Sequence, residues 1–267
     1  GNQGQLPSHP ELLDWLAVEF QDLGWDVKAM QRLIVTSATY RQASKKRPEL
    51  EDKDSDNILL ARGPSVRLPA ELIRDQALAA SGLLNREVGG KSVFPYQPEG
   101  LWKVNGAHYP QDTGKNLYRR SLYTVWKRSV HHPTMAIFDA PDHSVSVSKR
   151  QETNTPLQAL ALLNDPTFVE ASKVLGEQMS RSSDPSQGVV TAFRKLTGRK
   201  PLEKELQLLL DLREKEHQKF KTDPAKLKGW LTIGEYRISP TLDPSLVAAN
   251  AVTASAILNS DAFLTKR

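Results

Sequence analysis

The chain has 267 residues, 39% hydrophobic and 25% charged, with a net charge of +5 and a pI near 9.3. That is chain enough for one large domain or two small ones, in an ordinary globular composition. No apolar run approaches the roughly 18 residues a helical membrane span needs. The chain has no cysteine, so by itself it forms no disulfide, thiolate metal site, iron–sulfur cluster or covalent c-type haem attachment.

Acids and bases interleave in RKPLEKELQLLLDLREKEHQKFK. That is the pattern of a solvated helix with i,i+4 pairs, not the one-signed stripe of a nucleic-acid binder. The opening GNQGQLPSHPELLDWL has neither the basic segment nor the cleavage site of an export signal. It reads as the interior of something longer.

In chain order, Ser8 with Glu11 three residues on reads as a capping box, and Gly24 as the stop of the helix between them. Leu12, Leu13, Leu16, Phe20 and Leu23 fall on one face of it. Asp26 caps a second helix whose apolar Met30, Leu33 and Ile34 repeat at helical spacing, completing an αα-hairpin. Residues 41–66 read as polar loop. Pro69 opens a third helix that ends near Gly82.

From Asn85 to Leu117 the chain is rich in Gly, Pro, Asn and Tyr without a sustained period. A structureless loop of that length is either functional or laid across another surface. Its Phe94, Tyr96, Trp102 and Tyr109 could stack on sugars or anchor the loop. Anchoring is favoured, because such a loop must bury something to stay ordered. GGKS at 89–92 hints at a phosphate loop but lacks the earlier glycine and the preceding strand, so it reads as a turn. RRSLYTVWKRS, 119–129, alternates like a strand. On a strand Arg120 and Arg128 share one face while Arg119 and Lys127 share the other. The rest reads helical, over 156–163, 166–180, 187–197, 201–220 and 244–258. The fold expected is mainly α, with αα-hairpins, a long irregular loop and at most a small β-hairpin near 118–138. We take 1–267 as one domain, with 1–84 helical, 85–150 loop and strand-like, and 151–267 helical.

Two stretches attract chemical attention. In SVSKRQETNTPLQALALLND a polar run meets an apolar block. Thr155, Pro156 and Gln158 give a capping box with proline at N1. The helix that follows is apolar all round and should be central and buried. Arg150 and Glu152 then enter the edge of the core and need partners. They form either a structural ion pair or a ligand contact at a helix N-terminus, where anions are favoured. The second stretch is KRSVHHPTMAIFDAPDH. With Trp126 beside them, Lys127, Arg128, His131, His132, Asp139, Asp142 and His143 could supply acid–base chemistry. Adjacent histidines on an extended segment point apart, however, and no metal-ligating spacing is present. Turn residues and surface charges remain the simpler reading. The cations Arg119, Arg120, Lys127, Arg128, Lys149 and Arg150 would suit an anionic glycan or a nucleic acid equally.

PSHPELLDWLAVEF, GWDVKAMQRLIVTSATYRQAS, RLPAELIRDQALAASGLLN, YRRSLYTVWKRS, FDAPD, RQETNTPLQALALLND and LDPSLVAANAVTASAILNSDAFLTKR occur in this order. Together they resemble the planctomycete-type C-terminal domain of unknown function 1553. The resemblance implies the C-terminal part of a large exported protein, following another domain of unknown function and often a cytochrome c-like module. It assigns no catalytic residue. It implies an extracytoplasmic interaction or scaffolding domain, without a cofactor of its own, whose haem comes only from an upstream or partner module. Its partner would be the upstream domain of the same precursor or another polypeptide. An enzyme or binding domain acting on anionic polysaccharide is the alternative, and nucleic-acid binding a third.

Overall fold

The computed structural model describes residues 4, 6–45, 47–51 and 53–266. The chain is mainly α-helical and divides into two compact units, 1–66 with 265–267, and 67–264.

The first unit contains α1 (Pro10–Asp22), α2 (Val27–Thr36) and the short α3 (Pro48–Glu51). Gly24, at φ +65°, ends α1 in the left-handed conformation that glycine adopts without cost. The Asp26 carboxylate starts α2 by accepting from the Lys28 and Ala29 amides at 2.8 and 3.0 Å. The capping box expected at Ser8 does not form. His9 is the N-cap, so Glu11 falls one residue short of N3, and Ser8 Oγ bonds His9 Nδ1 instead. Neither α1 nor α2 contains a fully buried residue. Between residues 54 and 62 the chain folds around Asp54, whose carboxylate accepts from the Ile58 and Leu59 amides.

Nine helices are described in the second unit: α4 (Ala70–Ser81), α5 (Pro133–Ile137), α6 (Pro156–Asn164), α7 (Pro166–Ser180), α8 (Pro185–Thr197), α9 (Glu203–Thr222), α10 (Pro224–Thr232), α11 (Pro244–Leu258) and α12 (Asp261–Leu264). An Asp–Pro pair starts α7, α8, α10 and α11. In each, the aspartate accepts a backbone N–H of the first turn while proline fills the position whose N–H would go unused. The centre is α7 against α11. Gly176 lets them touch, since a Cβ there would stand 2.6 Å from Ala251 N and from Val247 O. Ile73, Phe168, Leu175, Phe193, Leu196 and Ile257 fill the surrounding core.

Helix α6 is not the central helix its composition implies. Leu157, Leu160 and Leu163, three residues apart on one face, are exposed, and only Gln158 and Leu162 are buried. The glutamine faces inward because its amide donates to Ile137 O and Thr153 Oγ1.

The strand expected at 119–129 is also absent, and residues 121–123 form a 3-10 turn. Side chains of α4 take the backbone groups a ladder would need. Arg74 donates to the carbonyls of Leu117 and Arg119, and Asp75 accepts from the Ser121 amide. Among the described residues the only regular sheet is β1 (Val66–Arg67) with β2 (Thr265–Lys266).

The long segment 85–117 is fastened to its own unit. Asn85 N donates to Tyr118 O, Val93 N to Tyr123 O and Val125 N to Val93 O, all at 2.8–2.9 Å.

Candidate functional site

The residues singled out from the sequence separate into small groups. Arg119 is buried, and its guanidinium donates to the carbonyls of Glu87, Gly89 and Lys91 while lying 3.7 Å from the Tyr123 ring centroid. It clasps the loop from inside. Arg120 and Arg128 are exposed. Lys127 places its ammonium 4.4 Å from the Trp102 ring centroid. Trp126 is stacked between His131 and His143, at 5.5 and 4.8 Å, and its Nε1 donates to Asp142 O at 3.3 Å.

The carboxylates and the buried histidine are engaged nearby. The Asp142 carboxylate accepts from Ser144 N and Oγ, and these bonds hold its carboxyl below the usual range. Asp139, at φ +61°, accepts from Thr153 N and Oγ1. His132 is buried with Nε2 3.0 Å from Tyr96 O, and burial pushes its imidazole below the ordinary value. Among the described residues no three His, Asp or Glu side chains gather where they could hold a metal ion.

Arg150 does find a partner in this chain. Its two terminal nitrogens meet the Glu71 carboxylate at 2.7 and 3.0 Å. The pair is open to solvent, with side chains 41% and 32% exposed, so it is not the buried ion pair the polar run implies. Glu152 is exposed. Because α6 lies at the surface, its N-terminal approach has no core edge to enter.

The charged side chains with no exposed surface lie on α7. Glu170 and Lys173 are wholly buried and Glu177 almost so. Lys173 Nζ donates to the carbonyls of Leu231, Ile233 and Tyr236. Glu170 Oε1 accepts from Tyr118 OH at 3.0 Å and from the Tyr236 amide at 2.6 Å. Gly234 crosses directly over the Glu170 carboxylate, where a Cβ would overlap it. Glu177 accepts from Tyr236 OH and Arg181. Burial alone would raise the Glu177 carboxyl, but those bonds outweigh it and hold it low.

Burial pushes the Lys173 ammonium down, opposed by Glu170, and pushes Tyr118 up. Tyr96 rises to about 12, first from burial and then from Glu170. With its three N–H donors engaged by carbonyls, Lys173 latches residues 231–236 to α7 and offers no free nucleophile. The sequence did carry a signal: Glu170, Lys173 and Glu177 share one face, at i, i+3 and i+7, of an otherwise uncharged helix.

Two surfaces remain unsatisfied. In the first unit, Leu12, Trp15, Leu33, Ile34, Tyr40 and Leu60 line an apolar cleft of about 540 Å³. In the second unit, Phe94, Trp102 and Tyr109 meet edge to face, with centroids 5.1–6.0 Å apart, beside a cavity of about 350 Å³. This trio anchors the long loop, as its aromatic content implies.

Over residues 1–213 the chain matches the family described as PSD1, protein of unknown function (DUF1553). Neither a curated protein nor a solved structure matches it. A family match over that share of the chain agrees with the ordered sequence blocks up to RQETNTPLQALALLND, the last block at 242–267 lying beyond the matched residues, and the chain belongs to the DUF1553 family.

Proposed function

We propose that the chain is an interaction domain whose first unit holds a polypeptide on the apolar face of the α1–α2 hairpin. One observation carries this reading. Leu12, Trp15 and Ile34, which line the cleft, are each 41–51% exposed, on two helices that bury no residue completely. Apolar surface gathered around a concave cleft gains about 25 cal/mol per Å² when a partner covers it. Contiguous apolar patches of this kind mark interaction sites. A groove between two helices suits the apolar face of a third. The occupant is a helical segment of the same precursor or of a second polypeptide. The family resemblance supports placing this work outside the cytoplasm, beside a cytochrome-type module that supplies any haem.

An enzymatic reading has less support, because the candidate acids, bases and cations are mostly engaged by backbone groups or ring faces. Nucleic-acid binding is disfavoured for the same reason. Arg119 is internal and Arg150 is paired with Glu71.

Site-specific photo-crosslinking in the native host tests the proposal. A photoreactive residue at Trp15 should give a discrete adduct with one polypeptide segment, identified by mass spectrometry. The same probe at Leu208, exposed on α9, should give none. Absence of an adduct from Trp15, or equal adducts from both positions, would refute it.

A further inference from the structure

We propose that the notch beside Trp102 binds one pyranose ring of an oligosaccharide. The site stands on residues separate from the α1–α2 face, so the two proposals fail independently.

The notch begins as an aromatic corner. Trp102 and Tyr109 stand 5.1 Å apart at 78°, and Phe94 closes the back against both. The Tyr109 hydroxyl donates to Pro95 O at 2.5 Å, and burial keeps it protonated, so the ring is pinned in place. Lys127 lies against Trp102, 4.4 Å from its centroid. A sugar ring has apolar C–H faces that pack against such π-surfaces while its hydroxyls stay available for hydrogen bonds.

The polar groups fit the same ligand. Trp102 Nε1 and Gln97 Nε2 are buried N–H donors without a hydrogen-bond partner, and both residues line the cavity. A buried donor left unpaired costs about 1–3 kcal/mol, so it marks a place where an acceptor is missing. Around the mouth stand Glu99, Lys103 and His108, all exposed. They offer a carboxylate acceptor, an ammonium donor and an imidazole that can be either. A polyhydroxylated ring uses both senses at once. A proline-rich peptide could use the aromatic corner and the N–H donors but would leave the carboxylate without a role.

Trp102 rides on the 3-10 turn Leu101–Asn105, flanked by Gly100 at φ +85° and Gly106 at φ +64°. Both N–H groups are buried, so binding requires a local shift of this loop to bring sugar hydroxyls within reach of them.

Calorimetric titration of the full chain with cellotetraose, chitotetraose and tetragalacturonate tests this and separates neutral from acidic sugars. At least one should bind at millimolar or lower concentration. Trp102→Phe keeps a smaller aromatic ring but removes the N–H, and Gln97→Leu removes the amide. Each should weaken binding by about three- to tenfold. Trp25→Phe, in the first unit, should leave it unchanged. No binding to any of the three sugars would overturn the proposal. So would binding that Trp102→Phe and Gln97→Leu both leave intact, or Trp102-dependent binding of decaproline without binding of sugar.

Discussion

On α7 of the second unit, two charged side chains, Glu170 and Lys173, have no exposed surface, while on α1 of the first unit Leu12, Leu13 and Trp15 are each about half exposed. The usual preference is inverted in both places, for different reasons. On α7 every ammonium proton of Lys173 has a carbonyl within its own unit, and Glu170 is held by a tyrosine hydroxyl and a backbone amide. Lys173 is fully answered, and Glu170 is answered through Oε1 while its Oε2 is buried without a hydrogen-bond partner; together they latch one chain segment to the core. The apolar side chains of the hairpin have no such answer. External work falls where an interaction is left open, not where the chemistry looks richest.

The most forceful way to break this comparison is to remove the ammonium. Lys173→Ala strands three part-buried carbonyls and leaves the Glu170 carboxylate without its neighbouring cation. We expect a loss of about 3–5 kcal/mol in urea unfolding of the chain. A loss below about 1 kcal/mol would mean the α7 face is wetter and less committed than described.

Acid titration sharpens it next. Burial keeps His132 neutral in the folded chain, below its ordinary value of 6.5, while the unfolded chain takes up a proton there. The unfolded state therefore binds more protons below that value. Stability is unaffected above about pH 7 and falls as the pH drops below 6.5, by at most about 1.4 kcal/mol per pH unit. Urea midpoints between pH 7 and 5 should slope downward in the wild type and flatten in His132→Asn. Identical slopes would contradict the assignment.

The smallest effect belongs to the exposed pair. Arg150→Ala loses a two-pronged contact with Glu71, but both groups are open to solvent. The expected cost is about 0.2–1 kcal/mol, shrinking in high salt. A loss above about 3 kcal/mol would place the pair in the core after all.

Some helix starts were legible because their chemistry is local, although the Ser8 box does not form and the Asp–Pro starts of α8 and α10 went unread. Asp165–Pro166, Asp243–Pro244 and Thr155 with Gln158 act within one turn, and Gly24 and Gly82 stop helices through their own backbone angles. Which face of a helix goes inward was less legible. Leu157, Leu160 and Leu163 look like core by composition, yet they face solvent because a hydrogen-bonded glutamine takes the inner face. The alternation at 119–129 failed as a strand signal because Arg74 and Asp75, remote in sequence, take its backbone groups.

The candidate site divides the same way. Arg119 looked available from its type and neighbours, but three loop carbonyls, all about thirty residues upstream, account for it. Lys173 drew no attention, since its partners at 231–236 belong to a segment with no sequence mark of its own. Trp102 and Tyr109 were legible as anchors. Unpaired donors at Trp102 and Gln97 appear only once the loop is folded.

Hydroxyl-radical footprinting reads the exposure of the hairpin itself, in the isolated chain and in the assembly recovered from its host through a tag on this chain. The account predicts oxidation of Leu12, Trp15 and Ile34 in the isolated chain and their protection in the assembly, with Leu208 equally oxidised in both. Equal oxidation of the hairpin residues in the two samples would contradict it.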